Sequence, residues 1–350
     1  MNQVKIKGFN LQTPKNIVVR MPNWIGDAVM SAPVLGLIKN KWPDSNITLF
    51  GMPHILSLFE ADPHVDKLLP IEKRDTVYQL IYKLRDQRFD TGILLTHSFS
   101  SAWLFFRAHI QNRLGFSKDM RKWMLTDSLP YPKDKVKEHH TKTYQSLISD
   151  VESKEEPTLY VKEGERSWAC DFLEERGIGQ DQLIIGINPS AAFGPSKCWL
   201  EERFRETAEL LVSEMNAHLL FFGDKNAYDK NNRIAFGLKN TYNLAGKTSL
   251  RELMCITQKC DLFLTNDSGP MHIACAIGTP VVALFGSTSP KATGPYQKGV
   301  YLYEKADCSP CFKRECPIDF RCMKAITTEM VYQTIKNQLH KYSEKLCVKS

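Results

Sequence analysis

Within TNDSGPMHIACAIGTPVVALFGSTSP, a carboxylate, a hydroxyl, a glycine and an imidazole fall inside six residues, Asp267 to His272. An apolar strand-like run ends at Asn266, and Asp267, Ser268 and Gly269 open a helical one. The free N–H groups of such a helix start, helped by the Ser268 hydroxyl, suit a diphosphate. His272, near the first turn, can bond a phosphate or a ribose. A capping box with a packed histidine accounts for the same residues more plainly. A Gly-Ser-Thr turn after the next strand favours a ligand, because two turns then flank one strand.

Two further groups have types that suit chemistry. In VVRMPNWIGDAVMSAP a strand ends at Arg20 and a helix begins near Asp27, just after Gly26. Asp27 is either an N-cap, a role aspartate favours, or a carboxylate held at the ligand edge of a sheet. In NPSAAFGPSKCW, a loop with Gly194 and two prolines presents Lys197. Alone it is a solvated charge; opposite the Asp267–His272 turn it would neutralise a leaving diphosphate.

Other nucleotide and metal signatures are missing from the sequence. Gly246-Lys247-Thr248 has Thr241 where a P-loop needs glycine. No G-x-G-x-x-G follows a strand, no H-E-x-x-H occurs, and there is no D-x-D. A nucleotide here would be held by protein donors and helix starts.

These residues need elements to position them, and the pattern supplies strands alternating with helices, the mark of a parallel sheet covered on both faces. Strands are expected at 16–20, 46–50, 67–70 and 91–95, with a helix from near Asp27 to Lys41 and another at 76–88. After the charged stretch 151–168 the alternation restarts, with strands at 183–188, 218–222, 262–266 and 281–285. Helices are expected at 201–215, 249–259 and 327–343. The expected fold is α/β, with two Rossmann-like doubly wound domains, 1–165 and 166–325, facing a central cleft, and a C-terminal helix in 326–350.

Length and composition agree with two ordinary globular domains: 350 residues, 43% hydrophobic and 24% charged. The longest apolar runs fall short of 18 residues, so no membrane-spanning helix is expected. The polar N-terminus lacks the apolar core of a signal peptide. The net charge of +7 lies wholly in residues 1–150, which hold 21 Lys+Arg against 14 Asp+Glu. That half is expected to face an anionic partner. Its segment SAWLFFRAHIQNRLGFSKDMRKWM interleaves aromatics with Arg107, Arg113, Lys118, Arg121 and Lys122, either as one amphipathic core helix followed by solvated charges or as a basic contact surface. Nothing resembles a nucleic-acid recognition motif, so nucleic acid is not an expected partner.

Ten cysteines in such a chain are expected to be mostly reduced. Cys308, Cys311, Cys316 and Cys322 stand within 15 residues in C-x2-C-x4-C-x5-C spacing. They could close a tetrahedral zinc site. The second pair departs from C-x2-C spacing, so packed thiols without metal are the expectation.

The segments MPNWIGDAVMSAP, FGPSKCW, LAGKTSL and NDSGPMHIACAIGTPVVALFGSTSP, in this order, resemble the bacterial ADP-heptose:lipopolysaccharide heptosyltransferases, glycosyltransferase family 9. The likeness extends from about residue 16 to 325 and is closer to members that add the second inner-core heptose. It implies a GT-B architecture with an N-terminal acceptor domain and a C-terminal nucleotide-sugar domain. It also implies inverting transfer without metal or cofactor, from ADP-heptose to a phosphorylated, Kdo-bearing lipid A core at the cytoplasmic face of the inner membrane. Asp27 would be the general base and Lys197 the stabiliser of departing ADP. Ser268, Gly269 and His272 would hold the phosphates beside Gly194, Asp267 would orient the donor, and Asp224 would stand in for a ribose-binding glutamate. Arg107, Arg113, Arg121 and Lys122 are the expected acceptor contacts. A GT-B transferase for another nucleotide sugar, a first-heptose transferase and a non-catalytic binding protein remain alternatives.

Overall fold

The structure is a computed structural model that describes residues 13–132, 134, 136, 138–149, 153, 155–296 and 299–347. Short apolar runs, broken by Pro, Gly and Asn turns, form two six-stranded sheets. The first holds β1 (Asn16–Arg20), β2 (Asn46–Gly51), β3 (Lys67–Pro70), β4 (Thr91–Leu94), β5 (Asn112–Phe116) and β6 (Asp127–Leu129). The second holds β7 (Ile184–Asn188), β8 (His218–Phe221), β9 (Thr241–Asn243), β10 (Leu262–Asn266), β11 (Val281–Phe285) and β12 (Val300–Tyr303). The orders are β3-β2-β1-β4-β5-β6 and β12-β11-β10-β7-β8-β9. Every neighbouring pair is parallel.

Both sheets are thus doubly wound with the same topology. Strand order reverses between β1 and β4 in one and between β7 and β10 in the other. Open α/β sheets bind ligands outside the carboxyl ends of the strands at such a reversal. The central strands must therefore be apolar on both faces, and Ile17, Val18, Val19, Ile185 and Ile187 are wholly buried. A Cβ on Gly186 would run into the Phe263 ring, so glycine leaves the room that ring takes against β7.

The chain divides into compact units at 1–160 and 161–350. This differs from the expected boundary at 165. Glu165 lies in the helix Glu163–Glu174 and pairs with Arg251 of the helix Leu250–Gln258, which ties it to the second unit. Of the expected connecting stretch, residues 151, 152 and 154 lie outside the described residues. The C-terminal helix Thr328–Cys347 belongs to the second unit as well, packing on the helix Glu201–Met215, where Tyr332 Oη donates to Glu214 at 2.6 Å.

Local departures have simple causes. The expected helix through Lys41 is two helices, Ile25–Ser31 and Pro33–Lys41, because Pro33 lacks the N–H that would continue the first. In the basic segment the helix Phe99–Arg107 stops, His109 takes a left-handed φ of 58°, and the chain returns as β5. One long amphipathic helix is thereby replaced by a helix and a strand. No helix among the described residues is long and apolar enough to cross a membrane.

Candidate active site

At the reversal point of the second sheet, β7 ends in Asn188 and β10 in Asn266, both buried. Asn188 Nδ2 donates to Thr265 Oγ1 at 3.2 Å and to Ser268 Oγ at 3.0 Å, pinning the β10 turn to β7. The helix Gly269–Ala276 follows, with Ser268 as N-cap, and the Ser268 side chain makes no capping bond. The capping-box alternative therefore fails: the hydroxyl is turned to Asn188 and Thr265, and it does not cap the first-turn N–H groups. Pro270 has no N–H to offer, so the donors of that turn are Gly269, Met271 and His272. His272 itself is buried.

The loop after β7 brings Lys197 to this turn. Pro195–Lys197 forms a short 3-10 turn, and Lys197 Nζ lies 2.5 Å from Asp267 Oδ2. Thr288 Oγ1 donates to the same oxygen at 2.6 Å. Asp267 is 3% exposed and the Lys197 side chain 14%, so the pair is largely withdrawn from water while the ammonium keeps some access. A lysine, a helix start and small hydroxyl residues converge here at one strand edge. Together they can hold a diphosphate and stabilise added negative charge on it.

In the first unit, β1 runs into the loop 21–24 and the helix Ile25–Ser31. Buried Arg20 braces this loop, donating to the Met21 carbonyl and, at 2.8 Å, to Asn23 Oδ1. The N-cap is Trp24, and Asp27 sits in the first helical turn. The N-cap alternative for Asp27 is thereby removed. Tyr144, from the helix His140–Gln145, donates to Asp27 Oδ1 at 3.1 Å. The Tyr144 hydroxyl is held well above 10, first by burial and then by the Asp27 charge, so it stays a donor. His97, just beyond β4, stacks parallel to Tyr144 at 6.4 Å and lies 4.5 Å from the Tyr131 ring. Asp27 thus stands in an aromatic and imidazole setting at the carboxyl edge of β1 and β4.

A model of "Glycosyltransferase family 9 (heptosyltransferase)" matches residues 77–320. This chain belongs to glycosyltransferase family 9. It is 31% identical over 304 residues to lipopolysaccharide heptosyltransferase 2 of Salmonella typhimurium, covering 80% of this chain and 85% of that protein. It is 30% identical to lipooligosaccharide heptosyltransferase 2 of Campylobacter jejuni, covering 91% and 98%. The solved structure of the Escherichia coli ADP-heptose lipopolysaccharide heptosyltransferase II superposes with a TM-score of 0.81 at 27% identity, covering 94% of this chain and 99% of that one. The enzyme is a glycosyltransferase built from the two doubly wound units of the GT-B class.

The remaining expected residues of the family 9 enzyme fare unevenly. Asp224 is exposed and caps its own turn, accepting from the N–H groups of Asn226 at 3.0 Å and Ala227 at 3.2 Å. Arg121 is not a surface charge: its side chain is wholly buried, with Nε on the Phe116 carbonyl at 2.9 Å and Nη1 on the Ser98 carbonyl at 3.2 Å. Arg113 is also tied down, by Met124 O at 2.6 Å and by the Ile110 carbonyl, with its guanidinium over Phe106. Both arginines hold the loop around β5 together. Arg107 and Lys122 are exposed, beside Phe99, Trp103, Phe106 and Trp123.

Two buried nitrogens of this region, Arg121 Nη2 and His97 Nδ1, have no hydrogen-bond partner among the described residues. Burial first, then the Arg121 and Lys118 charges, pulls His97 down to about 4. The ring is neutral in the folded enzyme at neutral pH. Between about 4 and the ordinary 6.5, the unfolded chain binds a proton that the folded chain does not, so stability falls as pH drops through that window. His97→Phe should flatten melting temperature against pH between 6.5 and 4. A slope equal to that of the parent enzyme would clear His97 of this acid sensitivity.

Tyr144, Tyr131, His97 and Thr288 were not legible as site residues. Tyr144 meets Asp27 across 117 positions, and no local spacing announces that contact. Thr288 had a signal, since it lies in the Gly-Ser-Thr turn after β11. The four clustered cysteines line one pocket with Ser196 and Ser287. Among the described residues, no group of three His, Cys, Asp or Glu stands ready to hold a metal ion.

Proposed function

We propose that this enzyme transfers heptose from ADP-heptose to the heptose already present on a phosphorylated Kdo-lipid A core, with inversion and without a metal. Names of close relatives over most of the chain support the donor and acceptor classes. The observation that carries the chemistry is the Lys197–Asp267 pair beside an uncapped helix start at the β7–β10 reversal. Asp27 takes the proton of the acceptor hydroxyl as its oxygen attacks the anomeric carbon. The bond from that carbon to the diphosphate breaks, and its electron pair leaves with ADP. Positive charge gathers on the sugar ring, as in inverting glycoside hydrolysis, and negative charge on the diphosphate. Lys197 and the N–H groups at Gly269 and Met271 meet that negative charge, with Ser268, Gly194 and His272 shaping the phosphate site. Asp267, with Thr288, fixes the lysine and orients the donor.

On the acceptor side the basic excess of residues 1–150 meets the phosphates and carboxylates of the core. Arg107 and Lys122, set among exposed aromatics, contact the anionic cytoplasmic face of the inner membrane in which the acceptor is anchored. The deciding experiment offers ADP-heptose with truncated acceptors bearing zero or one heptose and measures ADP release. Release with the one-heptose acceptor alone is expected. Release only with the heptose-free acceptor would make the enzyme a first-heptose transferase, and no release with either would favour a binding protein.

A further inference from the structure

The cysteine-rich stretch from Cys308 to Cys322 has no part in the transfer chemistry described so far, yet its backbone is laced to the Lys197 loop. Ser196, 2% exposed, donates its N–H to the Arg314 carbonyl at 3.1 Å and its hydroxyl to the Lys313 carbonyl. The same hydroxyl lies 3.1 Å from Ser287 Oγ, and the Phe312 N–H donates to the Ser287 carbonyl at 2.8 Å. Gly194 has a φ of 151°, and a Cβ built there would land on the Arg314 carbonyl oxygen. Loop and stretch therefore approach as only glycine permits. The four cysteines line the pocket beneath this junction.

This lacing fixes where two cations stand. Lys197 Nζ lies 4.9 Å from the centre of the Phe193 ring, and the Arg314 guanidinium lies 5.7 Å from the same centre. Lys197 is paired with Asp267, so that ion pair offers a diphosphate little net charge. Arg314 is exposed and makes no ion pair among the described residues. Leaving ADP without a metal requires a positive excess at this edge, and the lysine pair alone does not provide it.

We propose that Arg314 is a second cation of the donor site, engaging the diphosphate beside Lys197, and that the cysteine-rich stretch is the element that presents both. This rests on the reading of Lys197 as the leaving-group cation. A planar guanidinium suits two phosphate oxygens at once, which lysine matches only as a point charge.

The test titrates ADP alone into the full-length enzyme by calorimetry, at several salt concentrations, for the parent, Arg314→Gln, Arg314→Lys and Lys197→Ala. Arg314→Gln keeps the backbone carbonyl that clamps Gly194 and Ser196, so its melting temperature should match the parent. Its ADP affinity should fall about 10- to 100-fold, the usual worth of a charged hydrogen bond, with a shallower salt dependence and a raised donor KM. Arg314→Lys should recover part of the loss. ADP affinity within about twofold of the parent in Arg314→Gln, with Lys197→Ala weakened, overturns the second cation and leaves the donor site standing. Unchanged affinity in both variants removes Lys197 from the phosphate site too.

Discussion

Asp27→Asn should lower turnover by roughly 10²–10⁴, the usual worth of a general base, while ADP affinity stays at the parent value. The substitution is nearly isosteric, and its amide oxygen still accepts the Tyr144 hydroxyl that now reaches Asp27 Oδ1 at 3.1 Å. Packing around the helix Ile25–Ser31 is therefore kept, and only the capacity to take a proton is lost. Asp27→Ala is a poorer probe, because it strands the buried Tyr144 hydroxyl and adds a folding cost of about 1–3 kcal/mol. The proposed donor groups all belong to residues 161–350, so ADP titration separates a lost base from a lost donor site. Parent-like turnover in Asp27→Asn would remove Asp27 from the mechanism.

Lys197→Ala has the second largest expected effect, and its cost is double. Loss of a single group that stabilises developing negative charge lowers turnover by about 10²–10³. The variant also leaves the Asp267 carboxylate, 3% exposed, without its ammonium partner. Breaking a buried pair from one side costs about 3–5 kcal/mol, so a fall in melting temperature accompanies the fall in rate. The double variant Lys197→Ala, Asp267→Asn separates the two, because an amide needs no counter-ion and can still accept from Thr288. It should regain much of the lost melting temperature and none of the lost turnover. Recovery of turnover along with stability would mean that Lys197 serves folding alone.

How far the molecule could be read in advance depended on whether the signal was local. The strands 16–20, 262–266 and 281–285 were legible to the residue, because buried parallel strands are apolar runs between turn residues. The edge strands β6, β9 and β12, and β5 next to one edge, were not: DSL, TYN, VYLY and NRLGF are short or partly polar, and neighbouring strands define them. Lys197 and Asp267 were legible as a pair of candidates at two strand ends, and the 2.5 Å ion pair joins them. Tyr144 was hidden, because its contact with Asp27 depends on a helix returning from far along the chain, and His97 was hidden with it, because it meets the site through the Tyr144 ring. Arg121 was misplaced for the converse reason. A basic run reads as a solvated face, but the turn after β5 folds this guanidinium inward onto backbone carbonyls.

The most direct measurement is ADP release by the parent enzyme from ADP-heptose and the one-heptose acceptor, after exhaustive dialysis against a chelator and with the chelator present. Transfer that relies on Lys197 and a helix start should proceed at the undialysed rate, and the new glycosidic bond should carry the anomeric configuration opposite to that of the donor. Release that stops in chelator and returns with added magnesium, or a product that keeps the donor configuration, would contradict metal-free inverting transfer.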